Sequence, residues 1–430
     1  MIKSSYPGKF EISYATLVTN SGYVADITKL IINLKIQESI FSDELIGNLV
    51  LVETSDLMTH GPIIGQEILR LKLKTSISKT TKDGEIIFDE VPLLVYDVVY
   101  TPGNSPNESV NIMTLSFVSY NSFKNTRMRL SKSYTANCSD IIESVLTKEL
   151  KTKSDFFIEK TINNVHMISP NVRPYKFIDM ISKRALNVND FNSFLFYETV
   201  RGFKFKSIDT MLRTESVFTY KEDVDIDVDD ITDVFKSFET INAKNISDVR
   251  NVIAASKTGY FASKLLLHDI YNKRVIEKTT NFTDENKGNI PFSLSTYEDG
   301  ESLIQKNDMM IYSQVYNSGK TVSSRFQGDK YLDSLLKRKS KMLHFQRSIN
   351  IGITVYGYTK MNCGDKVSIS LRKKSDSFSD RDFPMYDGDY IIVSIQHDFD
   401  FNTMIHNMDL SCSKITLTEG IPKSKYIEKP

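Results

Sequence analysis

The chain has 430 residues, 40% of them hydrophobic, which is enough for roughly two to four domains with sizeable cores. Lys plus Arg and Asp plus Glu both number 54, so the chain lacks the excess positive charge that draws proteins to nucleic acid. We expect no membrane-spanning helix and no secretion signal, because no run approaches the roughly 20 apolar residues that cross a bilayer and residues 1–10 are polar.

The three cysteines, Cys138, Cys363 and Cys412, are odd in number and far apart in the sequence. No two of them have the short spacing of a zinc site or a redox motif. We therefore expect reduced thiols in a protein that folds in a cytoplasm.

The first part of the chain, over residues 27–120, has the period-two alternation of apolar and polar residues that is typical of β-strands. The alternating apolar residues are Leu30, Ile32, Leu34 and Ile36, then Leu69, Leu71 and Leu73, then Met113, Leu115 and Phe117. Turn-forming residues such as Gly61-Pro62 separate these runs. The pattern predicts a small antiparallel barrel or sandwich, and we assign a first β-barrel domain to residues 1–125.

The pattern changes to helices within residues 126–200, which we predict to be an inserted α+β domain. Asp140 is placed to cap a helix together with Glu143, and the apolar residues that follow share one helical face. These apolar residues are Ile141, Ile142, Val145, Leu146 and Leu150. A second helix is predicted to begin at Pro174, a residue suited to the first turn, and to run to Leu186.

The remaining chain returns to strands after a long irregular part. Residues 201–345 are predicted to be a mixed segment that includes the start of a second barrel, and the polar stretch at 281–329 fits a surface loop or a region ordered by a partner. A basic helix is predicted from Lys330 to Leu343. We assign a second β-barrel to residues 346–415 and a polar tail to residues 416–430.

A short phrase occurs in both β segments. Gly65-Gln66-Glu67-Ile68 opens one alternating strand, and Gly364-Asp365-Lys366-Val367 opens another. A glycine followed by polar residues is a common start to a strand, so a true repeat and a coincidence both remain open. A true repeat would give the chain two related barrels.

Two local motifs look like ligand sites but have simpler explanations. Gly319-Lys320-Thr321 has the end of a phosphate-binding loop, yet Gln314 stands where that loop needs its first glycine. The acidic stretch from Glu222 to Asp230 has the charge of a calcium loop, yet Val228 stands where an EF-hand needs glycine. We interpret the first as a turn and the second as a strand with one charged face.

The histidines do not form a zinc-hydrolase motif. His397 and His406 fall on the apolar phase of neighbouring predicted strands, and we predict that they meet across a hairpin as a core pair rather than as metal ligands. The Gly-Xaa-Ser-Xaa-Gly elbow of serine hydrolases is absent from the sequence. Paired carboxylates for glycoside hydrolysis leave no fixed spacing, so that enzyme class stays open as an alternative. We assign no catalytic residue, no metal ligand and no cofactor site.

Two basic clusters are the strongest candidates for nucleic-acid contacts. They comprise Lys124, Arg127, Arg129 and Lys132, and then Lys337, Arg338, Lys339, Lys341 and Arg347. Neither cluster interleaves aromatic residues at the spacing that base stacking uses. We therefore favour solvated faces, or patches that dock an acidic neighbour, over specific nucleic-acid binding.

Several short motifs give the chain a resemblance to a known family. In the C-terminal part, after the strand from Ile349 to Val355, they are Gly357-Tyr358-Thr359, Cys363 to Val367, Gly388 to Ile392, and His397. The earlier motifs are Pro62 to Gly65, Gly202 to Asp209, and Gly259 to Ser263 with Asp269. With these motifs the chain resembles the central baseplate hub subunits of contractile-tailed phages of the T4-like type, which are related to the N-terminal part of type VI secretion spike proteins.

The resemblance implies two related antiparallel β-barrels in tandem with an inserted mixed domain, and a homotrimer whose barrels form a ring of approximate sixfold symmetry. It implies a structural subunit, not an enzyme, that joins the hexameric tail tube or a tube-initiator protein to the trimeric central spike, surrounded by baseplate wedge proteins. The implied location is the virion tail, after assembly in the host cytoplasm, with DNA passing through the ring without specific binding. A host-surface-binding tail protein and a peptidoglycan- or carbohydrate-cleaving tail enzyme are the alternatives.

Overall fold

The computed structural model describes residues 8–53, 57, 63–75, 84–102, 111–189, 192–222, 237–247, 252–270, 272–281, 311–316, 330–347, 349–371 and 386–414. Three sequence features lie outside the described residues: Gly319-Lys320-Thr321, the acidic stretch after Glu222, and the tail at 416–430. Most of the polar stretch at 281–329 lies outside them as well. Within the described chain, strands in large antiparallel sheets dominate, which confirms the prediction of a mainly β fold.

The first β unit consists of seven strands around one apolar core. The strands are β1 (Phe10–Val18), β2 (Val24–Asp26), β3 (Ile31–Ser39), β4 (Ile46–Glu53), β5 (Ile68–Thr75), β6 (Glu85–Thr101) and β7 (Asn111–Ser119). They pair in the order β3-β4-β7-β6-β5-β1-β2, and α1 (Tyr120–Arg127) follows β7. Alternate residues of each strand point inward, so that Leu34, Leu49, Leu71 and Leu115 are fully buried together.

The insert has its own core and carries most of the short helices. Its elements are β8 (Ser133–Asn137), α2 (Cys138–Ser144) with a π-turn (Val145–Glu149), β9 (Phe156–Ile158), β10 (Asn164–Ile168), α3 (Pro174–Ser182), β11 (Phe194–Thr199), β12 (Gly202–Ser207) and α4 (Ile208–Arg213). Two strand groups, β8 with β10 and β11-β12-β9, enclose the buried rings of Phe177, Phe194 and Phe205.

One of the two helix starts predicted for the insert is confirmed. α3 begins at Pro174, where the missing N–H removes no helical hydrogen bond, although the helix ends at Ser182 rather than at Leu186. The predicted cap at Asp140 is wrong, because α2 already begins at Cys138 and Asp140 lies in its first turn. A carboxylate in the first turn still interacts favourably with the helix dipole, which explains why the sequence resembled a cap.

The second β unit, a separate three-stranded sheet and two helices complete the described chain. Their elements are β13 (Phe218–Lys221), a 3-10 turn (Ser237–Glu239), β14 (Ala243–Ser247), α5 (Val252–Lys257), β15 (Ala262–Asp269), β16 (Arg274–Asn281), β17 (Ile311–Tyr316), a 3-10 turn (Lys330–Ser334), α6 (Leu335–Arg347), β18 (Ile349–Tyr356), β19 (Lys366–Ser370), β20 (Gly388–Asp400) and β21 (Ile405–Lys414). β15 to β17 form a separate sheet, which packs against Leu332 of the second 3-10 turn and Leu336 of α6. The second β unit is the series β14-β18-β21-β20-β19-β13.

The two β units share the order of five strands. The series is β3-β4-β7-β6-β5 in the first unit and β14-β18-β21-β20-β19 in the second, and all neighbours in both series are antiparallel. Gly65 precedes β5 and Gly364 precedes β19, with φ of +87° and +82°, a conformation that favours glycine. The phrase shared in the sequence therefore precedes the same strand of each unit, with one residue more between Gly65 and β5 than between Gly364 and β19.

The equivalence extends to single hydrogen bonds. The N–H of Val95 donates to the carbonyl of Glu67 at 2.9 Å, and the N–H of Ile392 donates to the carbonyl of Asp365 at 3.0 Å. Directly after Val95 the pairing of β6 with β7 shifts register, and directly after Ile392 the pairing of β20 with β21 shifts in the same way. The described strands of the two β units form one continuous sheet, and no closed barrel is found among them.

The hairpin of β20 and β21 belongs to both units. At its base, Ile392 and Leu410 lie in the core of the second unit, whereas at its tip Phe399 lies in the core of the first. β20 also pairs with β3, and the ring of Phe10 on β1 packs edge-on against Phe399 with centroids 5.1 Å apart. The first core is therefore completed by residues that come from the far end of the chain.

Candidate functional site

The side chain of Glu38 lies where the first β unit, the insert and the second β unit meet. It is fully buried on β3. Its carboxylate accepts hydrogen bonds from the N–H of Val200, in the turn between β11 and β12, at 2.9 Å, and from the N–H of Cys363, just before β19, at 3.2 Å. A single carboxylate thus joins the backbones of three parts of the chain.

A second buried carboxylate joins the insert to the first β unit and α1. Glu198 on β11 of the insert accepts hydrogen bonds from three groups of the first unit and α1: the N–H of Leu45 at 3.3 Å, the hydroxyl of Ser119 at 2.6 Å and the amide of Asn121 at 3.3 Å. The hydroxyl of Ser122 adds a longer bond at 3.4 Å. Glu38 and Glu198 are called the junction carboxylates below.

Burial dominates the electrostatics of this junction. Burial, with a smaller contribution from the nearby Asp365, raises the pKa of Glu38 to about 7, and its two backbone hydrogen bonds act in the opposite direction. Burial likewise raises the pKa of Glu198 to about 7, against the hydrogen bonds from its four donors. Both side chains therefore change protonation near neutral pH while they hold the junction.

Sequence reasoning missed the junction carboxylates, although a signal was present. Glu38 continues the buried phase of β3, two residues after Ile36 and two before the buried Ile40. Glu198 lies in β11 among the apolar residues Phe194 to Tyr197 and is itself 3% exposed. A charged residue in the buried phase of a strand needs internal partners, and this could have marked both positions.

The predicted histidine pair is confirmed. Nδ1 of His397 lies 3.1 Å from Nε2 of His406 inside the shared hairpin, and the ring of His406 stacks on Phe399 with centroids 4.0 Å apart. Burial lowers the pKa of His397 to about 4, and burial together with His397 lowers that of His406 well below its ordinary value. Among the residues that the structure describes, no three potential ligands group around a metal position.

The first basic cluster makes contacts with the π-turn after α2 and with the residues that follow it. Lys124 donates to the carbonyls of Leu150 and Lys151 at 3.5 Å, and Lys132 pairs with Glu149 at 2.8 Å. The guanidinium of Arg127 lies over the ring of Phe123. These contacts fit the interpretation of a surface face with local partners.

Two lysines of the second basic cluster, both on α6, have partners within the chain. Lys341 pairs with Asp209 of α4, and both side chains are nearly buried. Lys339 donates to the carbonyl of Thr258 at 2.6 Å and lies over the ring of Tyr312, and burial lowers its pKa to about 8. The acidic neighbour of this cluster is thus part of the same chain.

The motif residues that carried the family resemblance have structural roles. Asp209 accepts a hydrogen bond from the hydroxyl of Ser193 at 2.6 Å, and Asp269 accepts one from the N–H of Asn272 at 3.1 Å in the turn after β15. Gly202 has φ of +108°, and a Cβ there would lie 2.0 Å from a backbone oxygen. The three cysteines are buried, and none of them forms a disulfide.

A cleft of about 650 Å³ opens beside Glu198, between β6, the loop before β9 and the turn after β11. Other charged residues of its lining are Glu85, Glu90, Lys153, Asp155 and Arg201. Four donors already surround the carboxylate of Glu198, and Arg201 donates twice to the carbonyl of Thr359, at 3.0 and 2.8 Å. The carboxylate of Glu198 and the guanidinium of Arg201 therefore stabilise the fold.

No helix of the described chain has the length and apolar character needed to span a membrane.

Comparisons with known proteins find similarity only at the level of structure. No family model and no curated protein sequence matches the chain. The tail protein from Neisseria meningitidis MC58 is 11% identical with a TM-score of 0.53, and the superposition covers 94% of this chain and 97% of that protein. The 43 kDa tail protein of prophage MuSo2 from Shewanella oneidensis is 10% identical with a TM-score of 0.51, covering 94% and 98%. The chain has the fold of these tail proteins. At the level of the fold, this confirms the resemblance that the sequence motifs gave.

Proposed function

We propose that the chain is a structural subunit of a phage tail baseplate hub, in which three copies form a ring between the hexameric tail tube and the trimeric central spike. The observation that carries this proposal is the order of five strands shared by the two β units. Three copies of a chain with two equivalent units present six similar surfaces around one axis, which is what a connection between sixfold and threefold neighbours requires. The fold shared with tail proteins supports a place in the virion tail.

We infer further that the two units are related barrels. In the second unit, a bridge between Lys221 and Thr240 and a hydrogen bond from the N–H of Ile241 to Lys221 bring β13 beside the segment that leads into β14. In the first unit, a bridge between Lys9 and Ile405 brings the start of β1 to the shared hairpin, which already pairs with β3. These contacts bring the two ends of each strand series together, as a barrel needs.

The chemistry of the junction also favours a structural role. The junction carboxylates and the histidine pair face partners inside the chain, and a wall that transmits force during tail contraction needs rigid joints of this kind. We propose no enzymatic activity, no cofactor and no specific nucleic-acid binding. The proposed partners are two further copies, the central spike, the tube or a tube-initiator protein and the surrounding wedge proteins, with assembly in the host cytoplasm.

Light scattering on the purified chain, alone and with the spike protein encoded beside it, tests the ring. We expect a particle of about three times the 49.2 kDa chain mass in at least one of these samples. Electron microscopy of that particle should show six lobes around a channel. A monomer in both samples, or a ring with three lobes, would refute the proposal.

Two assays separate the hub from its alternatives. A cell-wall-cleaving enzyme would clear peptidoglycan in a zymogram, and a host-binding protein would adhere to cells as purified protein. A hub does neither, because its surfaces are complementary to other tail subunits.

A further inference from the structure

The shared strand β20 pairs with a different strand along each of its halves. Residues 388–391 pair with β19 of the second unit, and residues 394–400 pair with β3 of the first unit. β6 is the equivalent strand of the first unit, because both strands shift register at the same place. Between residues 85 and 94, β6 pairs with β5, as the start of β20 pairs with β19. Residues 97–101 of β6 therefore correspond to the half of β20 that pairs with β3.

The two strand edges that would repeat this joint are open among the described residues. There β6 pairs with β5 and β7 alone, so no described strand lies along residues 97–101 on the side away from β7. β14 is the equivalent of β3, and β18 is its one partner among the described strands. The two edges lie at opposite ends of the series β14-β18-β21-β20-β3-β4-β7-β6 and do not pair with each other. Open edges of this kind favour pairing with a strand of another chain.

Apolar side chains at these edges are more exposed than their equivalents in the joint within the chain. In that joint, His397 on β20 pairs with Ile36 on β3, and both are fully buried. Tyr100 on β6 takes the place of His397 and is 40% exposed. Ile246 on β14 takes the place of Ile36 and is partly buried. Pairing of the two edges would cover both side chains, as the joint within the chain covers theirs.

We propose that residues 97–101 of β6 pair antiparallel with β14 of a second copy of this chain, as β20 pairs with β3 within the chain. A second copy fits both edges, because every chain offers one edge of each kind and already joins the equivalent strands in its own structure. Copies then associate head to tail, and three copies close a ring with three joints inside chains and three between them. The inference deepens the proposed function and rests on its ring of three.

The joint within the chain also sets the register of the joint between copies. Asp398 on β20 lies opposite Lys35 on β3, and their side chains form an ion pair at 3.4 Å. Thr101 takes the place of Asp398, since Asp97 follows the register shift of β6 as Ser394 follows that of β20. On β14 the place of Lys35 is taken by Asn245, which pairs with Gly352 of β18 as Lys35 pairs with Asn48 of β4. Thr101 of one copy therefore meets Asn245 of the next.

Engineered disulfides between copies test this register. Facing residues of an antiparallel joint have Cα atoms about 4.5 to 5.5 Å apart, a distance that a disulfide spans. Thr101 and Asn245 are both exposed in the single chain, and the native cysteines are buried and do not compete. The variant Thr101→Cys/Asn245→Cys is oxidised with copper phenanthroline, alone and with the spike protein encoded beside it, and analysed on a non-reducing denaturing gel. We expect covalent dimers and trimers that a reductant returns to monomers.

A second facing pair and a mismatched pair serve as controls. Val99→Cys/Ser247→Cys, at the next outward-facing positions of the same register, should give the same products. Glu11→Cys/Asn245→Cys should give at least about fivefold less, because Glu11 is exposed on β1 and belongs to neither edge. Neither Thr101→Cys nor Asn245→Cys alone should give trimers, since one cysteine links at most two chains.

The outcomes separate this inference from the proposed function. A trimer by light scattering, with no more disulfide-linked product from the two facing pairs than from the mismatched pair, would overturn the inference and leave the ring standing. Product that extends past three chains would support the joint and refute the ring of three. A monomer in both samples without linked product would refute both.

Discussion

Replacing Glu38 by glutamine should change how the stability of the chain depends on pH. The side chain is fully buried, and its folded pKa of about 7 exceeds the ordinary value of 4.5. Protonation therefore favours the folded chain: the contribution of Glu38 is complete below about pH 4.5 and is lost as the pH rises through about 7. Glutamine has a similar shape but does not titrate, so Glu38→Gln removes this dependence.

The expected magnitude follows from the two pKa values. Between pH 5 and pH 8 they correspond to about 2–3 kcal/mol of unfolding free energy from Glu38 alone. The variant should thus gain about this amount relative to the wild-type chain as the pH is raised from 5 to 8. The comparison is made at each pH, because the histidine pair titrates in the opposite direction and partly masks the slope of the wild-type chain.

Urea unfolding followed by circular dichroism at pH 5, 6, 7 and 8 measures these differences. Glu198→Gln should show the same trend, since burial raises the pKa of Glu198 to a similar value. Glu11→Gln is the control for the substitution itself, because Glu11 is exposed on β1 and lies outside the junction. If the difference between Glu38→Gln and the wild-type chain is the same at pH 5 and pH 8, the junction carboxylate does not titrate as described.

Three further outcomes test other parts of the structure. Acid should destabilise the chain through His397, whose folded pKa is about 4 against an ordinary value of 6.5. The neutral ring contributes about 2–3 kcal/mol of unfolding free energy, which is lost as the pH falls from 6.5 toward 4. His397→Phe, compared with the wild-type chain by urea unfolding at each pH, should not show this loss. Gly357→Ala should lower the unfolding free energy by about 1–3 kcal/mol, because the added Cβ would lie 1.8 Å from Nδ1 of His406. Gly352→Ala is the control and should have a smaller effect, because no atom lies nearer than 3.6 Å to its Cβ. Equal losses for the two variants would contradict this prediction. Phe345→Ala should cost about 3–5 kcal/mol by urea unfolding, and a loss below about 1 kcal/mol would show that Phe345 of α6 does not pack in the core of the second unit.

The sequence predicts the local features of this fold better than its long-range ones. Period-two alternation identifies β3, β5, β7 and β18, because one face of each is buried against a core. The start of α3 follows from the geometry of Pro174 alone. The pairing of β3 with β20 joins residues more than 350 positions apart, for example Lys35 with Asp398, and no local pattern encodes it. The histidine pair was found because a short hairpin brings it together, whereas Glu38 meets donors from distant segments.

The shared hairpin also explains why the two units should behave as one body. If each unit were an independent domain, it would supply its own core, and loss of one would leave the other intact. Instead, Phe399 and Phe401 from the hairpin tip pack against Phe10, and β20 pairs along β3. Unfolding the second unit would therefore expose the core of the first and remove the acceptor of the Phe10 N–H at Met404. The junction carboxylates add the insert to the same cooperative body, because Glu38 accepts hydrogen bonds from both Val200 of the insert and Cys363 of the second unit.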